Sequence, residues 1–506
     1  MTRKIKFTDL TLRDGQQSLA ATRMTTEQAL RVLPLIDKAG FETIEMWGGA
    51  VLDSCVRYLN ENPWERLETY AACLGGPAKI QALLRGQNLF AYQPYPDDLV
   101  IAFIKEAVRS GVGVMRIFDA LNDWRNLQVA LIASKAYGAK VEAAMSYTVS
   151  PIHTVDYYVD YARKLENEGA DQIALKDMAG LLHPSDALRL VRSLKRSCSL
   201  PITMHSHTTT GVGLLNLVVA MHAGADAVDC TITPFAGGTS HSPVEVLVVF
   251  AEEMGLEHGL DKELILQAQA ELFKILEELK DTNPYYGKYY RPVHYDDVDR
   301  RIVRKILDLI EKAEDQAMEE ALALSQQLLV GLGYPEHDDR IFKAQIPGGM
   351  LTNLRNQLKE MGQLDLLDKV MQEVPSVRED VGYVPLVTPT SQIVASQAAF
   401  NVMYGARYSF VSNEFRMLLR GEFGRTPIPP KPEIVKQILG DRETPRPYRP
   451  ASYLKPVMED DYRLPFVRSQ KDLLLHLMLG KAADDFLQRP PSIKVDLNEF
   501  ADRMPG

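Results

Sequence analysis

Thiol chemistry is nearly missing from this 506-residue sequence, whose four cysteines, Cys55, Cys73, Cys198 and Cys230, stand apart with no CxxC pair. Such spacing excludes a disulfide framework and a thiolate zinc site, and it fits a reducing compartment. A basic surplus is missing too. With a net charge of −10 the chain has nothing spare to neutralise phosphates, so nucleic acid is not an expected partner. No apolar run approaches the ~20 residues that a membrane-spanning helix needs. The N-terminal MTRKIKFTDLTLRDG enters a strand-like pattern directly and leaves no room for a signal peptide. A cytoplasmic protein with no membrane span is therefore expected. No GxGxxG follows the first strand-like run, which argues against a doubly wound dinucleotide-binding sheet.

What is present is an alternation. Short β-rich runs (KIKFTDL, ETIEMWG, KIQALLRG, GVMRIFDAL, KVEAAMSYT, DQIALKDM, PITMHSH, DAVDCTI) are each followed by an amphipathic helical stretch. Several of those stretches close on a glycine, at Gly40, Gly111, Gly169 and Gly224, where the residue after a helix needs a positive φ. About eight strand–helix units in about 250 residues predict an α/β fold, a (β/α)8 TIM barrel, over residues 1–260. A mostly helical domain is expected over 261–430, covering the barrel mouth. It would include one long helix over 261–281, a helical segment that looks like an insertion at 298–335, a Pro-Gly-Gly turn in KAQIPGGM, and a helix after PLVTPTSQ capped by Thr388, Thr390 or Ser391. Residues 431–506 read as a Pro-rich tail with one helix, DLLLHLMLGKAADDFL, expected to pack on that same helical domain.

Chemistry concentrates at the ends of the β-rich runs. His205 and His207 are two apart on a strand, so both imidazoles point to one side. Lys176 closes DQIALK and Asp14 follows FTDLTLR. On a parallel barrel all four would meet at the C-terminal mouth, where such barrels carry catalysis. Two imidazoles and a carboxylate suit zinc, manganese or cobalt. A metal with open positions polarises a carbonyl and makes the neighbouring carbon acidic. Arg85, at the end of LLR, is placed either for a two-pronged grip on a substrate carboxylate or for a salt bridge on the barrel rim. These residues reach as far as metal-assisted enolisation of a small keto acid.

Seven segments in order, LTLRDGQQSLAATRM, WGGAVLDSCVRYLNENPWERL, LLRGQN, IALKDMAGLL, HSHTTTG, QIPGGMLTNL and PLVTPTSQIV, closely resemble the biotin-dependent pyruvate/oxaloacetate carboxyltransferases. That group includes the oxaloacetate decarboxylase alpha subunit, the carboxyltransferase domain of pyruvate carboxylase and the pyruvate-side transcarboxylase subunit. The resemblance implies a divalent metal (Zn, Mn or Co) held by Asp14, His205, His207 and a carbamate on Lys176. It also implies that Arg85 binds the pyruvate carboxylate with Arg13 and Gln17 nearby, and that Tyr92 and Asp53 line the pocket. Thr388 would pass a proton between the pyruvate methyl and the biotin ring nitrogen, and Ser391 would contact biotin. A homodimer within a larger carboxylase, decarboxylase or transcarboxylase complex is implied as well.

The sequence departs from that pattern in places. Gly15 and Gln16 stand in the first motif in the manner of acyl-CoA condensing enzymes of the same barrel class, and the 298–335 segment is extra. No AMKM-type biotinylation tetrapeptide occurs, so biotin is expected on a separate carrier protein. A metal-dependent acyl-CoA condensing enzyme or lyase is the alternative. A silent scaffold that kept the fold is a further one.

Overall fold

The computed structural model describes residues 3–76, 78–91, 93–337, 350, 354–355, 358–359, 362–440, 449–460 and 462–489. The Pro-Gly-Gly turn of KAQIPGGM and residues 441–448 and 490–506 of the Pro-rich tail lie outside them. Eight strands, β1 (Lys6–Asp9), β2 (Thr43–Gly48), β3 (Lys79–Leu84), β4 (Val112–Phe118), β5 (Lys140–Ser146), β6 (Gln172–Asp177), β7 (Ile202–Ser206) and β8 (Ala227–Cys230), pair in sequence order. The pairs are all parallel, and β8 closes on β1 through Lys6↔Ala227 to Asp9↔Cys230. This is the expected TIM barrel, and its strands are buried almost throughout because helices cover the outside.

The helices start and stop where the sequence has caps. Thr25 and Gln28 form a reciprocal capping box for Thr26–Lys38. Gly40, after that helix, has φ +93°, the left-handed conformation that glycine adopts without strain. Between barrel and helices, Trp47 stacks on Phe103 at 5.5 Å and lies 5.1 Å from Trp64. Trp47 can face outward because the β2–β3 register shifts between Glu45 and Trp47, so Glu45 points into the barrel and Trp47 away from it.

Past the barrel the expected long helix is Lys262–Glu278. The 298–335 segment forms a hairpin of helices, Arg300–Lys312 and Asp315–Gly331, split where Ala313 turns left-handed at φ +54°. The first helix buries Val303, Ile306, Leu309 and Ile310 in the same apolar cluster as the barrel. Arg300 adds bonds of 2.6 and 2.8 Å to Glu252 and Glu253 of the barrel helix Val244–Glu253. A separate apolar cluster joins Met350, Val370, Val374, Ile393, Val394, Phe415 and Ile434 of the C-terminal helices to Leu121 after β4.

That second unit docks on the loops after β4 and β5. Arg378 reaches the Val149 carbonyl at 2.7 Å and the Thr148 hydroxyl at 2.8 Å, and Asn126 donates to the Phe423 carbonyl at 2.9 Å. The tail helix read as one element is two, Gln470–Leu479 and Lys481–Leu487. Gly480 between them sits at φ +54°, and Leu474, Leu475 and Ala483 pack back on the barrel cluster. No helix among the described residues is long and apolar enough to cross a membrane, and the four cysteines are buried and free.

Trp47→Ala removes the centre of the aromatic packing outside β2. It is expected to cost about 3–5 kcal/mol, read as a lower midpoint in chemical denaturation. A change under about 1 kcal/mol would show that the stack is not structural.

Candidate active site

After β1 the chain winds tightly through Thr11–Gly15. The Asp9 carboxylate holds this turn by accepting from the Thr11 amide at 3.2 Å and the Thr11 hydroxyl at 2.6 Å. Arg13 and Asp14 are thereby aimed into the mouth, both buried. Gly15 is required by close approach, since a Cβ there would lie 3.0 Å from the Phe235 carbonyl oxygen and from Thr231 Cγ2 in the loop after β8. Gln16 has a local task. Its side chain accepts from the Met24 amide at 3.3 Å and donates to the Leu12 carbonyl at 3.4 Å.

The strand register Lys176↔His205 sets the next two groups side by side, with Lys176 Nζ 2.9 Å from His205 Nε2. Asp177, on the other face, accepts from the Leu181 and Leu182 amides and from the Ser206 hydroxyl, so it shapes the loop and does not pair with Lys176. Beneath the mouth the barrel axis is filled by charge. Arg116 donates to both oxygens of Asp229 and to Glu142, Arg13 donates through Nε to Glu45 at 2.6 Å, and Gln81 bridges to Glu45 at 2.8 Å. Asp229 also takes His205 Nδ1 at 2.7 Å.

The tautomers follow from these bonds. His207 Nδ1 lies 2.9 Å from the Thr239 carbonyl, which can only accept, so Nδ1 carries the proton and Nε2 keeps a lone pair. His205 is fixed the same way by Asp229. The Nε2 atoms of His205, His207 and a third imidazole, His241, lie 3.9, 3.6 and 3.0 Å from the single oxygen Oδ2 of Asp14. At His207 an acceptor lone pair therefore faces a carboxylate oxygen, an arrangement that a cation between them resolves, while the His205 lone pair has the Lys176 amine nearer, at 2.9 Å. Ligand atoms of Asp14, His205, His207 and His241 all lie within 4.8 Å of one another. Oxygen and imidazole donors with a carboxylate oriented behind one histidine are the make-up of a borderline divalent site.

Electrostatics agree. Burial alone would raise the Asp14 carboxyl, but Arg13, His207 and His241 overcome it and hold it well below the usual carboxylate range. Burial, with Lys176 and His241 adding to it, keeps His205 far below an ordinary imidazole. Burial and then His207 bring His241 down to about 4. The Lys176 amine is lowered to about 8 by burial, against the pull of Asp14 and Glu45.

Beside this cluster lies a cavity of about 600 Å³. Arg13, Gln17, Asp53, Arg85, Phe118 and Thr388 line it, so the two halves of the chain meet around one space. Arg13 spans the gap between cavity and cluster, 2.8 Å from Asp14 and 3.2 Å from the Gln17 side-chain oxygen. Arg85 donates to the Ala91 carbonyl at 2.7 Å, and its guanidinium lies 5.7 Å from the Phe118 ring. Asp53 faces Arg57 at 2.6 Å.

The two remaining sequence candidates are placed differently. Ser391 is buried in the first turn of the helix Thr390–Met403 and is not among the cavity-lining residues. Tyr92 lies outside the described residues. The expected side-chain cap of that helix is not formed, because the N-cap position is Pro389 and the Thr390 hydroxyl donates back to the Val387 carbonyl at 2.7 Å. Sequence reading missed His241, Asp229, Glu45 and Arg116. His241 carried a usable signal: GGTSHSP follows the eighth β-rich run, the position where a barrel strand opens on the mouth.

Residues 341–502 match the family described as "Conserved carboxylase domain", and residues 123–271 match one described as "HMGL-like". A pyruvate carboxylase subunit of Methanocaldococcus jannaschii is 41% identical over 488 residues, spanning 96% of this chain and 78% of that protein. The methylmalonyl-CoA carboxyltransferase 5S subunit of Propionibacterium freudenreichii subsp. shermanii is 37% identical over 496 residues, spanning 96% of this chain and 88% of that one. Among solved structures, the carboxyl transferase domain of Rhizobium etli pyruvate carboxylase with oxamate and biotin matches with a TM-score of 0.79 at 28% identity. That match covers 96% of this chain and 77% of the other.

Asp229→Asn keeps the side-chain size but removes the charge that pairs with Arg116 and loosens the grip on His205 Nδ1. Loss of such a partner behind a ligating histidine is expected to weaken divalent-metal binding about 10- to 100-fold, measured by competition with a coloured chelator. Unaltered affinity would mean that His205 does not ligate.

Proposed function

The chain belongs to the biotin-dependent pyruvate/oxaloacetate carboxyltransferases, and we propose that the cavity beside Asp14, His205 and His207 is where it exchanges a carboxyl group between carboxybiotin and pyruvate. The observation that carries this reading is the meeting of Arg85 and Thr388 in one cavity whose wall includes Arg13, itself 2.8 Å from Asp14 of the histidine–carboxylate cluster. A solved relative described with oxamate, an anion shaped like pyruvate, and with biotin supports it. Relatives named as carboxylase and carboxyltransferase subunits run nearly the length of the chain, which favours carboxyl transfer over the acyl-CoA condensing alternative.

In this reading Asp14, His205, His207 and a carbamate on Lys176 hold a divalent Zn, Mn or Co ion. When bound, the metal would polarise the keto oxygen of pyruvate and favour its enolate. Lys176 suits the modification, because an amine brought down to about 8 has a neutral fraction able to add carbon dioxide.

Arg85 holds the pyruvate carboxylate, with Gln17 and Arg13 steadying the bound acid from the metal side. Thr388 Oγ1 takes the proton that leaves the pyruvate methyl and hands it to the biotin ring nitrogen as the carboxyl group departs. Decarboxylation of oxaloacetate runs the same transfer backwards. Asp53 and Tyr92 line the pocket, Ser391 contacts the biotin ring, and the walls keep water from the enolate.

Biotin supplies the carboxyl group on a mobile arm, which we assign to a separate biotinyl carrier protein. The chain is proposed to act as a homodimer in a larger carboxylase, decarboxylase or transcarboxylase complex. The four free, buried cysteines are in keeping with a cytoplasmic setting.

The test is oxaloacetate decarboxylation with free biotin and an added divalent metal, alongside two variants. Thr388→Ala is expected to lower turnover by about 10²-fold or more while metal content stays normal; unchanged turnover would remove its proton role. Lys176→Ala is expected to lose metal and activity together, and stoichiometric metal in that variant would count against Lys176 as a ligand. A metal-loaded wild-type protein that neither decarboxylates oxaloacetate nor carboxylates pyruvate would overturn the reading.

A further inference from the structure

The loop after β8 brings a group to the site that the proposed ligand set leaves out. His241 is fully buried, and among the described residues neither of its ring nitrogens makes a well-aligned hydrogen bond. Leaving a buried polar atom unsatisfied is costly, so a ring kept in this state needs a partner. Its Nε2 lies 3.0 Å from Asp14 Oδ2, and its ring centre is 4.1 Å from that of His207 and 4.6 Å from that of His205.

The backbone holds His241 there firmly. It forms bridges with both His207 and Ala236, its carbonyl accepts from the Gly237 amide at 2.7 Å, and Ser240 on its flank accepts from the Thr208 amide at 2.9 Å. The same turn supplies the Thr239 carbonyl that fixes the His207 tautomer. Tyr334, at the end of the helical hairpin, bonds Thr233 at 2.6 Å and packs against Gly237, which braces the loop from outside.

We propose that His241 is a direct protein ligand of the divalent metal, an imidazole added to Asp14, His205 and His207. The proposal rests on the reading of this cluster as the metal site of a carboxyltransferase. A plain packing role for the ring fits less well. Asp14 Oδ2, 3.0 Å from Nε2, already receives Arg13 at 2.8 Å, and a merely packed histidine would leave Nδ1 without a partner and Nε2 without a well-aligned one. Coordination through Nε2 gives one of them its partner and places His241 in the same role as the histidines it touches.

The decisive measurement counts nitrogens at the metal. Wild-type protein labelled with 15N-histidine and loaded with Mn2+ is expected to show three ligating 15N couplings by electron–nuclear double resonance, falling to two in His241→Ala. Chelator competition should show Mn2+ affinity about tenfold or more weaker in that variant. Two couplings in the wild type would overturn the proposal without need of any variant, as would unaltered affinity in a His241→Ala protein with a native circular dichroism spectrum. Failure of the functional reading looks different: three couplings in a protein inactive toward oxaloacetate and pyruvate would retain the ligand and discard the reaction.

Discussion

A guanidinium buried on the axis of a barrel must be surrounded by acceptors, and Arg116 imposes that requirement on half of the strands. It draws in Glu45 from β2, Glu142 from β5 and Asp229 from β8. Removing one partner of such a group would leave a charge stranded in low dielectric, so the strand ends are tied to one another. The tie extends upward. Glu45 also holds Arg13, which holds Asp14, and Asp229 also holds His205. Asp14 and His205, two of the side chains proposed to surround the ion, are thus fixed from below by charge pairing.

This arrangement exchanges the apolar filling common in TIM barrels for a polar one. Thr203 and Gln172 give Glu142 its further donors, and Gln81 does the same for Glu45. A small apolar cluster of Phe118, Ala144 and Ala174, with Leu83 and Met178 against it, stands apart from the main core. Three cations, Arg13, Arg116 and Lys176, face four carboxylates, Asp14, Glu45, Glu142 and Asp229. The excess of negative charge, together with imidazole lone pairs turned toward Asp14, makes the mouth receptive to a divalent cation.

Among the described residues, the C-terminal helices make no bond to that network. Their docking on the loops after β4 and β5, through Arg378 and Asn126, carries Thr388 over the mouth to share a cavity with Arg85. The helical hairpin at 300–331 works on the other side. Packed on the barrel, it is followed by Tyr334, whose hydroxyl meets Thr233 in the loop that bears His241. What reads in the sequence as an extra segment therefore supports the backbone from which a site residue projects.

The barrel was legible from residue order because its causes are local. Eight β-rich runs, helices with capping residues, and glycines such as Gly40 and Gly224 at left-handed positions each leave a short-range mark. Asp14, Lys176, His205 and His207 could be picked out as well, since each closes or follows a β-rich run and the fold gathers such ends at one mouth. Other features had no local mark. Glu45 and Trp47 are two apart and would share a face but for a bulge, so only the tertiary register decides which of them enters the barrel. Arg116 and Asp229 sit within apolar runs, and their meaning is a pairing between strands 113 residues apart. His241 follows its strand by a loop whose course depends on contacts with the segments after β1 and β7 and with Tyr334 after the hairpin. Residue order determined which side chains reach the rim; packing over long separations decided which of them face one another, because charge pairing and loop closure depend on neighbours that the linear chain does not reveal.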